Sequence, residues 1–419
     1  MSQFSYPLLP LKRVATINNE ALGENTDPDY ELQYIDIGNV NSNGEIQEIT
    51  TYRFENAPSR ARRIVRDGDV IISTVRTYLQ AITQITNPPE NLIVSTGFAV
   101  VRPVSQVLDT GYCKYALREP VFLHEVVGRS VGVSYPAITS LDLADIPIFV
   151  PPIEKQYSIA NYLDRETGRI DSLIAAKEYL LELLAEKRRA IITLAVTRGL
   201  NPDAPMRDSG MEWLGKIPSH WVVAPLKAMA EIIYGLSQPP EYHDSGIPFL
   251  RATNVQRGKI ARGGLVFVRE DDLPISRVIR LKPKDIIVVR SGAYTGDSAI
   301  IPNEWENAVA GYDMVLRVMR YCLPEFVAYA LLSTYVLDFQ MQPMSLRAAQ
   351  PHLNAEELGS VVVVFPDEDE QEKIIKYINT SLEKLDKLSL TTRQTIHLLH
   401  ERRSALIAAA VSGQIDIKG

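Results

Sequence analysis

The chain has 419 residues, 46% of them hydrophobic and 23% charged, with a net charge of -7. That length exceeds the usual span of one hydrophobic core, so two or three domains are expected, and the composition excludes bulk disorder. The acidic balance excludes wholesale coating of nucleic acid, because affinity for DNA leans on phosphate neutralisation; any DNA contact has to be local.

Charge by segment agrees: residues 1–150 carry 12 basic and 17 acidic groups, and residues 216–365 carry 15 of each. Two cysteines, Cys113 and Cys322, can build neither a disulfide framework nor a four-ligand zinc site. The first residues lack the apolar stretch of a secretory signal, and apolar runs such as 361–365 are far below the roughly 20 residues of a membrane span. A reducing cytoplasm and no membrane contact are therefore expected.

In chain order, the β-branched runs 69–75 and 98–101 predict buried strands, and 112–124 predicts a helix. From about residue 151 a long helix begins, with Leu163, Ile170, Leu184 and Ile191 at multiples of seven. Leu173, Leu180 and Leu194 fall three residues after members of that series and are assigned to the same seam, which Lys177 and Lys187 interrupt. The pattern then recurs: a strand at 285–290, a helix at 324–339, and a second long helix bearing Ile378, Leu385, Leu399 and Leu406. Leu388 and Ala409 take its later seam position, with Thr392, Thr395 and Arg402 interrupting.

That recurrence is an internal repeat at a shift of about 215 residues. Pro10-Leu11-Lys12 meets Pro225-Leu226-Lys227, Pro136 meets Pro351, and Gln156, Tyr162, Asp171, Arg188 and Val196 recur as Gln371, Tyr377, Asp386, Arg403 and Val411. Small drifts accompany it. Gly97-Phe98 is paired with Gly311-Tyr312 and Tyr115 with Tyr329 at 214, and Asp69 with Asp285 at 216. The expected fold class is α+β: two repeated α/β domains, 1–150 and 201–365, the latter with its linker. They are separated by two long antiparallel coiled-coil helices, 151–200 and 366–419, giving a pseudo-twofold dumbbell.

The segment Arg207-Asp208-Ser209-Gly210-Met211-Glu212-Trp213-Leu214-Gly215-Lys216-Ile217-Pro218-Ser219-His220-Trp221 resembles the hallmark that precedes the second target-recognition domain of type I restriction-modification specificity subunits. Ile247-Pro248-Phe249-Leu250-Arg251, Asp142-Leu143-Ala144-Asp145-Ile146-Pro147 and Pro151-Pro152-Ile153-Glu154-Lys155-Gln156 agree with that family, and the resemblance spans essentially the whole chain. It implies two target-recognition domains that each read one half of a split double-stranded DNA sequence. The helical spacer would hold two adenine-methyltransferase subunits, and restriction subunits with ATP-driven translocation would join them. The first domain lacks the hallmark, and the entry to the second helix, 366–371, is more acidic than its counterpart.

No catalytic set is legible. Asn87-Pro88-Pro89-Glu90 approaches the adenine-methylase motif, but Glu90 stands where an aromatic ring must hold the flipped base, and Gln238-Pro239-Pro240-Glu241 fails likewise. The run 291–298 has glycines too close for a phosphate loop, with Asp297 where lysine is required. The six histidines show no metal-ligand spacing, so no metal or cofactor is expected; S-adenosylmethionine, ATP and Mg would belong to partner subunits.

Recognition remains. Arginine pairs bidentately with guanine, and Asn or Gln with adenine, so loops bearing them are the natural readers of a major groove. In the first domain the candidates are Arg60, Arg62, Arg63, Arg76, Tyr78, Arg129, Ser134 and Tyr135. In the second, Arg251, Asn254, Arg290, Ser291, Tyr294, Arg347 and Gln350 occupy comparable places. A solvated charge is the commoner role of any one surface arginine, so clustering on repeat-equivalent loops carries the assignment. An interaction scaffold that binds only proteins is the alternative that the net charge supports.

Overall fold

The computed structural model describes residues 6–274, 278–319, 321–346 and 350–417. The chain divides into two compact units, Met1–Glu178 with Arg393–Gly419, and Tyr179–Thr392. Each unit therefore holds one β-rich part together with portions of both long helices, Ile153–Arg198 and Glu368–Ser412.

In the first unit an antiparallel four-stranded sheet runs in the order Ala15–Ile17, Phe98–Pro103, Val70–Ser73, Ile82–Gln84. In the second unit Ala230–Tyr234, Met314–Val318, Ile286–Val288 and Ser298–Ile300 repeat that order and sense. A second sheet builds on Glu31–Ile35, which lies parallel to Leu92–Ser95; Ile247–Leu250 lies parallel to Val309–Ala310 in the other copy. The strands are short and buried, as their β-branched composition predicts: every residue of Val70–Ser73 and of Ile286–Val288 is inside.

Strand pairing corrects the repeat register at one place. Ala99 lies opposite Ile72 and Met314 opposite Val288, so the shift along this strand is 215, and Asp313, not Tyr312, stands where the first copy has Phe98. The shift of 214 holds beyond it, in the helical connection. The expected helix at 112–124 is two helices, Thr110–Ala116 and Pro120–Arg129. Pro120 cannot continue the first, and the Glu119 carboxylate caps the second by accepting from the Phe122 N–H at 3.0 Å. The helix expected at 324–339 likewise ends at Leu332 and resumes as Thr334–Val336 and a wide turn, Leu337–Met341.

Buried glutamines fasten each long helix to its β-rich part. Gln156 Nε2 donates to the carbonyls of Val107 at 2.9 Å and Pro151 at 2.8 Å, and its Oε1 accepts from the Asp109 N–H at 2.7 Å. Gln371 repeats this with Tyr321 at 3.1 Å, Pro366 at 2.9 Å and the Leu323 N–H at 2.8 Å. A buried amide with every group used fixes one docking geometry, and the recurrence of all three bonds shows that the repeat is three-dimensional.

The helix seam follows the expected seven-residue series in part, with Ile191, Leu399 and Leu406 only half-buried, and of the expected companions Leu180 and Ala409 are half-buried while the others turn outward. Leu163, Ile170 and Leu184 are buried, as are Ile378 and Leu385. Leu173 and Leu388, assigned to the seam, are 52% and 45% exposed, and Leu194 faces solvent too. The inward companions stand four residues after the series, at Thr167, Ile174, Ala195, Leu382 and Ala410. Alternating steps of four and three keep one stripe on a helix of 3.6 residues per turn, and the polar Thr167 hides inside this stripe because its hydroxyl returns to the Leu163 carbonyl at 2.6 Å.

Candidate nucleic-acid interface

In the first unit, the strand Ala61–Ile64 carries the basic run. Arg60 is exposed at its entry; Arg62 lies over the Phe54 ring at 4.6 Å and donates to the Ala61 carbonyl at 2.8 Å. Arg63 is half-buried, its Nε is enclosed without a partner, and burial lowers its pKa from the usual arginine value. This run joins the next candidate segment through Thr96 and Gly97: the Thr96 N–H donates to the Arg60 carbonyl at 2.8 Å, and the Gly97 carbonyl accepts from Thr74 at 2.8 Å.

The turn after Val70–Ser73 presents Arg76 and Tyr78, both exposed. The Arg76 guanidinium lies over the Tyr135 ring at 4.8 Å, and the backbone ties the two loops together, with the Arg76 N–H donating to the Pro136 carbonyl at 2.8 Å. Ser134 is exposed beside Tyr135. Arg129 is already engaged, by the Glu125 carboxylate at 3.0 Å and the Asp142 carbonyl at 3.4 Å.

In the second unit Arg290 is half-buried. Its guanidinium sits between the rings of Tyr234 at 4.5 Å and Tyr312 at 4.2 Å, Nη2 lies 3.3 Å from His352 Nε2, and Nε is buried without a partner. Its backbone N–H donates to Asp313 Oδ1 at 3.3 Å. Burial raises the Asp313 carboxyl to about 6, against the opposing pull of that N–H and of the Arg290 charge. The shift follows from the repeat: an acid stands where the first copy buries Phe98.

Arg251 reaches over Tyr242 at 5.3 Å and donates to the Gly264 carbonyl at 2.5 Å. Asn254 is corrected from reader to framework. It is fully buried, its Oδ1 accepts from the Arg251 N–H at 3.2 Å, and its Nδ2 donates to the carbonyls of Ala261 and Gly263, each at 3.1 Å. No edge remains for a base. Ser291 is half-buried and forms a backbone bridge with His352, while Tyr294 and Gln350 are exposed. Arg347 lies outside the described residues.

The two arginines expected at comparable places are not equivalents. The Ile138 N–H bonds to the Thr74 carbonyl as the Leu353 N–H bonds to that of Arg290, so Arg290 corresponds to Thr74 and Arg76 to Gly292. Sequence reasoning also passed over Tyr234 and Tyr312, whose rings define the Arg290 cradle, and no motif marks them.

The hallmark 207–221 is architectural. Met206–Asp208 pairs with Lys216–Pro218, Arg207 Nη2 donates to the Trp221 carbonyl at 2.7 Å, and Trp213 stacks on Tyr335 at 6.2 Å. Sequence spacing marks no metal-ligand set around the histidines, yet among the described residues Glu241, His243 and Asp272 bring donor atoms within 4.8 Å of one another. There His243 Nε2 and Asp272 Oδ2 lie 2.7 Å apart and satisfy each other. Among the described residues no helix is long and apolar enough to cross a membrane.

The family model described as the type I restriction modification DNA specificity domain matches residues 218–398. The specificity subunit of the type I restriction enzyme EcoKI from Escherichia coli K12 is 22% identical over 326 residues, covering 75% of this chain and 68% of the relative. That of MjaVIII from Methanocaldococcus jannaschii is 23% identical over 337 residues, covering 78% and 75%. Among solved structures, a chain from work on complex assembly and conformational transition of the type I R-M system is 21% identical, with 98% and 100% of the two chains covered and a TM-score of 0.77. The HsdS subunit of Thermoanaerobacter tengcongensis is 21% identical, with 98% and 97% covered and a TM-score of 0.52. The specificity-domain pattern thus lies in the second copy, and along essentially its whole length the chain is similar in fold to type I restriction-modification specificity subunits.

Proposed function

We propose that each unit of this chain engages one half of a bipartite double-stranded DNA target. In this reading the chain directs two adenine-methyltransferase subunits and the restriction and translocase subunits to that target in the cytoplasm. It contributes recognition and no catalytic group, so S-adenosylmethionine, ATP and Mg belong to its partners. One observation carries this reading: the two units share clamps, sheets and turn geometry but present different side chains on equivalent turns, Arg76 to Gln80 against Gly292 to Gly296. Equal scaffolds with unequal tips suit a target whose two halves differ in sequence.

The test is methylation of duplex DNA with S-adenosylmethionine. The pure chain alone should transfer no methyl group, and addition of its methyltransferase partner should produce methyladenine at a split motif. Salt-dependent DNA binding of that complex should accompany the activity. Methylation by the pure chain would defeat the recognition-only role, and a complex without sequence preference would favour the protein scaffold.

A further inference from the structure

Two left-handed backbone positions bracket the turn at 76–80: Arg76 at φ 53° and Gln80 at φ 51°. The equivalent turn of the second unit has Gly292 at φ 88° and Gly296 at φ 90°. Hydrogen bonds fix the correspondence. Ser73 N–H to the Ala81 carbonyl at 2.9 Å matches Val289 to Asp297 at 2.8 Å, and Arg76 to Pro136 at 2.8 Å matches Gly292 to Pro351 at 3.2 Å. Left-handed geometry strains a residue with a Cβ and leaves glycine unstrained, so the fold by itself asks for glycine at 76. An arginine held there against strain is the pattern found at functional positions.

A second, independent feature adjoins it. Val131 and Ala137 exchange backbone hydrogen bonds at 2.9 and 3.0 Å, closing a hairpin whose base is tied to the Arg76 turn by Ser130 Oγ and Thr77 Oγ1 at 2.9 Å. This fastened hairpin nevertheless exposes apolar side chains, Val131 at 81% and Val133 at 102%. Exposed valines on a tied loop serve no packing role. The Tyr135 ring of the same hairpin meets the Arg76 guanidinium by its face at 4.8 Å, and among the described residues no carboxylate pairs with Arg76.

We propose that Arg76 and Val133 form one base-reading tip of the first unit, Arg76 donating to a guanine edge and Val133 packing on a thymine C5-methyl group in the major groove. The proposal rests on the reading of this chain as a DNA-recognition subunit. A narrow protrusion carrying one unpaired, pre-oriented cation beside two valines fits a groove, which offers the guanine O6 and N7 acceptors and the thymine methyl side by side. A protein partner would call for a broad apolar face, which these two residues do not make.

The experiment uses the full chain with its methyltransferase partner. Mapping methyladenine first supplies the motif, and duplexes bearing it then carry 7-deazaguanine, which lacks N7, or deoxyuridine, which lacks the methyl, at single positions. Wild type should lose about tenfold to a hundredfold in binding on one 7-deazaguanine duplex, the range of a bidentate base contact. Arg76→Gly should lose the same and become insensitive to that substitution, while melting no lower than wild type because the strain is relieved. Val133→Ser should become insensitive to one deoxyuridine in the same half, with the other half unchanged. The tip is refuted if Arg76→Gly keeps the wild-type motif, or if it weakens all sequences equally with a shallower salt slope, which marks a phosphate contact. An unsubstituted complex with no motif at all would instead overturn the recognition reading itself.

Discussion

Arg403 donates through Nε to Oδ1 of Asp171 at 2.9 Å, and in the second unit Arg188 donates through Nη1 to Oδ1 of Asp386 at 2.6 Å. The residues exchange roles between copies: the acid sits on the first long helix in one unit and on the second in the other. Each pair locks an antiparallel register, one next to the buried Ile170 and the other next to the buried Leu385. In the first unit Arg118 is close by; burial, and then the Arg403 charge, lower its pKa to about 10. The two substitutions are therefore unequal. Arg403→Gln relieves Arg118 and should cost about 1 kcal/mol, whereas Asp171→Asn leaves two arginines without their anion and should cost about 2–3 kcal/mol. Denaturant titration measures both, and the reverse order would dismiss this account.

The buried glutamines give a sharper structural test. Gln156→Leu keeps the volume but takes the partner from two carbonyls and one N–H at once, a loss of about 2–4 kcal/mol. Gln371→Leu should do the same to the second unit. Hydrogen exchange should show each loss in the unit that holds the glutamine, and spreading over both would mean that the units do not fold as separate bodies.

The repeat, the strands and both long helices were legible because periodicity and self-similarity survive in one dimension; Gln156 and Gln371 were visible as repeat positions, but not as clamps. What was not legible depends on phase and on partners. Leu173 and Leu388 are apolar yet face outward, while Thr167 faces inward, so counting apolar residues selected the wrong companion for the seam. Asn254 reads as an adenine contact until its loop is seen to use both ends of the amide. The correspondence of Arg76 with Gly292 rests on hydrogen bonds that no spacing reveals.

Asp313 makes stability depend on pH in a stated direction. Its folded pKa, about 6, lies above the ordinary 3.8, so the folded state binds the proton more tightly than the unfolded chain. The associated stability is full below about pH 3.8 and is lost as pH rises through about 6. Asp313→Asn keeps an oxygen for the Arg290 N–H and removes the ionisation. It should match wild type near pH 4 and exceed it at pH 7.5 by up to about 3 kcal/mol, from 1.36 kcal/mol per pKa unit. Parallel pH profiles for the two proteins would show that the carboxyl is not the source.

The revised helix phase separates two neighbouring residues by function. Ile174 is buried in the seam, and Leu173, one step along the same helix, is half exposed, as is its repeat partner Leu388. Introducing a charge at Ile174 forces an unpaired carboxylate into an apolar stripe, so Ile174→Glu should cost about 3 kcal/mol or more. Leu173→Glu puts the charge at a half-exposed position open to solvent and should change stability by less than about 0.5 kcal/mol. An outward leucine recurring in both copies is nevertheless a place for a partner helix to pack. Mixed with its methyltransferase partner, the Leu173→Glu, Leu388→Glu double variant should melt like wild type yet assemble poorly and methylate little DNA. Normal assembly would make these leucines incidental, and a large loss of stability in the isolated chain would return them to the seam.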